Sequence, residues 1–131
     1  MRTNEVADTI YTYLIEKHNR VYRGKAPQSP ATPYVVFRVE SVVDTYPSEE
    51  QYVNVDIYDK EDTGVRVIED LADLIDGDGL AGNPSGLNRK IFNTDKLNMH
   101  FEREQRQHIP SEELVGVQAV NLRYAVRTYY K

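Results

Sequence analysis

Along residues 34–40, and again along 52–58, apolar and polar side chains alternate with a period of two. Val35, Phe37 and Val39 take one side of the first stretch, and Tyr34, Val36, Arg38 and Glu40 take the other. In the second, Val53, Val55 and Ile57 alternate with Tyr52, Asn54, Asp56 and Tyr58. This pattern predicts strands in a sheet with one dry and one partly wet face. The segment between them, 44–50, is polar and turn-rich, so 33–39 and 51–60 read as a hairpin. The period then lengthens. Val67, Ile68, Leu71, Ala72, Leu74 and Ile75 predict an amphipathic helix over about 63–75, capped by Asp62 or Thr63 and stopped by Gly77 and Gly79.

The same reading extends to both ends of the chain. Val6, Ile10, Tyr13, Leu14 and Lys17, widened by Ala7, Tyr11 and Ile15, mark a covering helix over about 4–18, with Thr3 or Asn4 as its cap. Residues 19–32 form a basic loop that its prolines and glycine exclude from helix. Val21 and Tyr22 either add a short strand or anchor that loop. After a glycine-rich break at 77–88, a short strand is expected over 89–93 and a longer one over 96–107. Leu97, Met99 and Phe101 face the core, followed by a run from Glu102 to His108 that is polar on both faces. The last strand runs over about 114–130. Val115 and Val117 fall out of phase with Val120 and Leu122, which predicts a bulge or bend near 116–119. The expected fold is a single α+β domain over 1–131: an antiparallel sheet of four to five strands, two helices on one face, and a projecting C-terminal hairpin. The loop 19–32 and the hairpin tip 102–113 are its candidate mobile parts.

Composition narrows the function classes. With 131 residues, 40% hydrophobic and 28% charged, the chain suits one globular domain. No apolar run reaches the ~20 residues of a membrane span, and the start lacks a signal-peptide pattern. With no cysteine there is neither a disulfide framework nor a thiolate metal site. Charge is blocked: residues 1–38 hold six Lys/Arg and three Asp/Glu, 39–87 hold two and thirteen, and 88–131 hold eight and five. The acidic middle argues against a nucleic-acid groove there. It reads either as a solvated face or as charge-complementary contact between copies. The chain has ten tyrosines and no tryptophan. Tyrosine suits half-buried strands and also surfaces covered only on assembly.

No catalytic constellation emerges. A calcium loop starting at Asp76 would place Leu80 fifth, where an oxygen ligand is required, and Leu87 twelfth, where the bidentate Glu belongs. His18, His100 and His108 lack metal-ligand spacing. There is no nucleophile elbow, P-loop or dinucleotide fingerprint. No cofactor, metal or enzymatic activity is expected.

The run Pro33-Tyr34-Val35-Val36-Phe37, then 52–59, then the helix over 65–75, resembles the tail-completion (tail-terminator, head–tail joining) proteins of long-tailed bacteriophages and prophages. The resemblance covers the first two-thirds of the chain in element order and 33–75 in residue pattern. It implies a virion-assembly protein that forms a ring, commonly hexameric. Such a ring caps the finished tail tube, offers a face to the head-completion connector, and passes DNA only as cargo through its lumen. The implied places are the bacterial host cytoplasm during assembly and the virion head–tail junction, with no membrane. The acidic segment would then line the lumen and repel passing DNA. Another neck or head-closure component is a related alternative, and a small cytoplasmic protein-binding module is a different one. Candidate interface residues are Arg20, Tyr22, Arg23 and Lys25 in the basic loop, Tyr46 in the first hairpin connection, and Glu102, Arg103, Glu104, Arg106 and His108 in the polar hairpin. Arg103 and Arg106 are expected to serve self-association without supporting the fold.

Overall fold

The computed structural model of the chain describes residues 3–28, 30–45, 48–60, 64–110 and 116–131. In chain order they form α1 (Thr3–Lys17), β1 (Val21–Arg23), β2 (Tyr34–Thr45), β3 (Ser48–Lys60), α2 (Arg66–Asp76), β4 (Ile91–Asn93), β5 (Leu97–Ile109) and β6 (Val117–Tyr130). The strands make one sheet in the order β1-β2-β3-β6-β5-β4. It curls into a half-barrel. This corrects the expected antiparallel sheet of four to five strands. There are six strands and the sheet is mixed, because Val21–Arg23 pairs parallel with Val35–Phe37. A three-residue strand carries too little alternation to announce its partner or its direction.

Alternation decides which face is dry. Val35, Phe37, Val53, Val55, Ile57, Leu122, Tyr124 and Val126 share the inner face with Met99 and Phe101, and all are buried. Val6, Ala7, Ile10 and Leu14 of α1, and Ile68, Leu71, Ala72 and Ile75 of α2, complete the same core. Val67 and Leu74, expected in the α2 stripe, are exposed instead, since the helix meets the sheet along a narrower line. The expected caps Asp62 and Thr63 lie outside the described residues.

The C-terminus of α2 is closed by the glycine-rich break. Leu87 N–H donates to Ile75 O at 2.8 Å and Asn88 N–H to Asp76 O at 3.0 Å, which satisfies carbonyls that a helix end leaves orphaned. This return requires glycine against glycine: a Cβ on Gly77 would lie 2.1 Å from Gly86 N. The break is therefore a pinned loop. Asp78 Oδ1 accepts the N–H groups of Leu80 and Ser85 at 3.1 and 3.0 Å, and Ser85 Oγ accepts the Asp78 N–H at 2.9 Å.

One further expectation changes. The C-terminal hairpin does not project: β5 pairs with β6 as far as Ile109↔Ala119, and β3 backs β6 as far as Lys60↔Val117. Near 116–119 the chain turns at Gly116, at φ 72°, and β6 pairs in regular register from Val117 on; register shifts lie instead in β2, between Ser41 and Val43, and in β5, where Glu104 is the extra residue between Arg103↔Tyr124 and Gln105↔Arg123.

Candidate functional site

The bulge decides the fate of the two arginines. A straight strand would send Arg103 and Arg106 to opposite faces. With Glu104 inserted, Arg103 stands opposite Tyr124 and Arg106 opposite Leu122, so both share the inner face. There they meet α2. Arg103 Nη1 lies 2.6 Å from Asp76 Oδ2, and Tyr124 OH donates to Asp76 Oδ1 at 2.7 Å. Arg106 reaches Asp73 at 2.8 Å and Glu69 at 2.9 Å. Burial opposes the Arg106 charge, but its hydrogen bonds to Asp73 and Glu69 outweigh that and hold its pKa above the ordinary value. Burial, followed by the Asp76 charge, pushes the Tyr124 hydroxyl well up.

Against the expectation that Arg103 and Arg106 leave the fold untouched, both form ion pairs that join β5 to α2. Acid from the 39–87 block and base from the 88–131 block are thus partly spent on each other inside one chain. A sequence signal was present, since Glu69, Asp73 and Asp76 recur at helical spacing along one edge of α2.

The other predicted positions scatter. Arg20 is turned inward on its own loop, donating through Nε to Pro33 O at 2.9 Å, where His18 Nε2 also donates at 2.7 Å. Arg23 donates to Asn4 Oδ1 at 2.9 Å. Tyr22 packs edge-on against Tyr34 with centroids 6.3 Å apart. Lys25 is exposed. Glu102 lies 3.9 Å from Arg89, and Glu104 3.6 Å from Arg123. His108 Nε2 shares a hydrogen bond with Gln118 Oε1 at 3.2 Å. Tyr46 lies outside the described residues.

What the structure does bring together is the sheet face opposite the helices. Tyr22, Tyr34, Tyr52, Tyr58 and Tyr129 stand on it, five of the chain's ten tyrosines. Tyr34 and Tyr58 stack at 5.1 Å, and burial raises both hydroxyl pKa values. Arg38, Arg123 and Arg127 stand between them in loose ion pairs: Arg38 to Asp56 at 3.4 Å, Arg123 to Glu104 at 3.6 Å and Arg127 to Glu50 at 3.5 Å. The Arg123 guanidinium also lies 4.0 Å from the centre of the Tyr52 ring. Asn121 Nδ2 donates to Asp56 Oδ1 at 2.6 Å. A groove of about 390 Å³ opens at one side of this face, between the 24–27 loop and Tyr34, Arg38, Asp56 and Tyr58. Arg38, Tyr52, Arg123 and Arg127 were missed as candidates because each fits an ordinary wet strand position.

This face suits adhesion. Planar guanidiniums and tyrosine rings offer large contact area and hydrogen bonds at low entropic cost. Among the described residues, no group of three or more His, Asp or Glu could hold a metal ion. No described helix is long and apolar enough to cross a membrane. No family model matches the chain, and no curated protein matches it.

Proposed function

We propose that the chain is a non-enzymatic phage or prophage virion-assembly subunit of the tail-terminator type. It assembles with itself into a hexameric ring that caps the tail tube and meets the head-completion connector, with DNA as passing cargo only. Its places are the host cytoplasm during assembly and then the virion head–tail junction. Two things support this reading: the β-β-α resemblance over 33–75, and the helix-free sheet face. The second carries it. A six-stranded sheet with one face free of helices, set with tyrosines and loosely paired arginines, has the composition of a surface that is covered on assembly. The lumenal role for the acidic block is narrowed, because Glu69, Asp73 and Asp76 are engaged with arginines.

The test is negative-stain imaging of the purified chain, alone and with tail tubes, beside its mass in solution. Rings at tube ends and arrest of tube growth are expected. Tubes that elongate unhindered, with no ring at their ends, would refute the proposal.

A further inference from the structure

α1 lies in the mouth of the half-barrel and touches both edges of the sheet. On one flank Asn4 accepts from Arg23 at the end of β1. On the other, Glu5 lies 4.0 Å from Lys96, and Tyr13 meets Phe92 of β4 edge-on at 5.4 Å. The second flank is not filled. A groove of about 380 Å³ runs along α1, floored by Tyr13 and Phe92 and rimmed by Asp8 and Glu16. A second hollow of about 300 Å³ shares Asp8 and Thr9 with it and adds Asp95. Lys17 and Lys90 are held on the Tyr13 ring at 5.3 and 5.4 Å. Asp8, Glu16 and Asp95 make no ion pair among the described residues, nor do Lys17 and Lys90, so the groove sets three rim carboxylates beside two ammonium groups that lie over its rings, Lys90 at 5.5 Å from the Phe92 ring as well.

The loop on the opposite flank has the complementary chemistry. Residues 19–32 contain no carboxylate, and 25–30 read Lys-Ala-Pro-Gln-Ser-Pro. Gly24, at φ 83°, closes β1 with its N–H on Phe37 O, and residues 25–27 run on along the groove beside Tyr34 and Tyr58. Lys25, Pro27 and Gln28 are exposed. Two prolines three residues apart leave a segment little backbone freedom to lose on binding. Aromatic-lined grooves take such segments, and acidic rims select those led by a cation.

We propose that the carboxylate-rimmed, aromatic groove between α1 and β4 receives the 25–30 segment of a second copy of the chain. Pro27 and Pro30 seat on Tyr13 and Phe92, and Lys25 meets Asp8 and Glu16. Donor and acceptor lie on opposite flanks of α1, so the contact is heterologous and propagates head to tail until rotation closes it. This contact rests on the assembly reading above and names the surfaces that would make it.

A labelled peptide of residues 20–32, titrated with the full chain by fluorescence anisotropy, tests the groove directly. Sedimentation velocity of the same chain reads self-association separately. The peptide is expected to bind. Charge reversal in the exposed pair Asp8→Lys and Glu16→Lys, or a Lys25→Glu peptide, should weaken binding roughly tenfold, and the two changes combined should recover most of the loss. Absence of binding, or binding indifferent to these charges, overturns the contact. If the chain nevertheless self-associates, the assembly reading survives without it.

Discussion

Removing the Arg103 side chain tests whether the clamp on α2 is structural. Arg103→Met keeps most of the volume and deletes the charge facing Asp76, whose side chain is only 4% exposed. Breaking a buried pair costs about 3–5 kcal/mol. The Arg103 side chain is 35% exposed, so water can partly resolvate the carboxylate. The expected loss is therefore about 2–3 kcal/mol. Tyr124→Phe removes the second donor to the same carboxylate, for about 1.5–3 kcal/mol. Because both act on one group, the double mutant should depart from additivity by about 1 kcal/mol. Urea denaturation at neutral pH, with an unchanged slope, measures all three values. Single losses below about 0.5 kcal/mol would refute the clamp, since substitutions at indifferent surface positions fall in that range. Alkali gives an independent reading. Tyr124 is raised above 10.0, so its stabilisation is complete below that pH and fades as pH climbs through the folded value. Tyr124→Phe should flatten the alkaline decline.

Phe37 is fully buried between the sheet and α1. Phe37→Ala should cost about 3–5 kcal/mol, and a loss under about 1 kcal/mol would reverse the assigned strand phase. The N–H groups of Ser85, then Leu80, hold the Asp78 carboxyl below its usual 3.8. The loop's stabilisation is thus present above that value and lost as pH falls through the lower folded value. Protection factors at Ser85 and Leu80, corrected for the slower intrinsic exchange in acid, should fall before those of the core, and protection constant down to global unfolding would refute the pinning. Deleting Glu104 should remove the bulge yet leave Arg106 facing α2, because positions 105–109 keep their partners on β6. If the deletion abolishes coupling between Arg106 and Asp73 in a double-mutant cycle, the bulge does more than absorb a residue.

The elements with strong periods were legible, and those without them were not. Val35, Phe37, Val53, Val55 and Ile57 announce their strands through alternation that one dry face enforces. The start of β3 was lost because Glu49, a polar residue assigned to the connection, stands on the inner side at 2% exposure, beside Gln51 at 0%. Thr128 Oγ1 donates to Gln51 Oε1 at 2.7 Å, and Tyr130 donates to Glu49. Composition alone assigns such residues to a turn. A short strand at Val21 and Tyr22 was one of two readings of that loop, but its parallel pairing with β2 is set across a long connection, which leaves no periodic trace.

The arginines show how one residue redirects a functional reading. Alternation counted from Phe101 makes 102–108 polar on both faces, and a strand of that kind has no place in a core. The single extra residue at Glu104 moves Arg106 to the side of Arg103, and the apparent two-faced polarity becomes an inner basic edge facing Glu69, Asp73 and Asp76. Once those charges are spent within the chain, the hairpin loses its claim to be the assembly arm. Among the groups that neither the core nor the clamp engages are the Tyr–Arg sheet face, the groove beside Tyr13 and Phe92, and the exposed Lys25–Pro27 segment, and the proposed contacts draw on these.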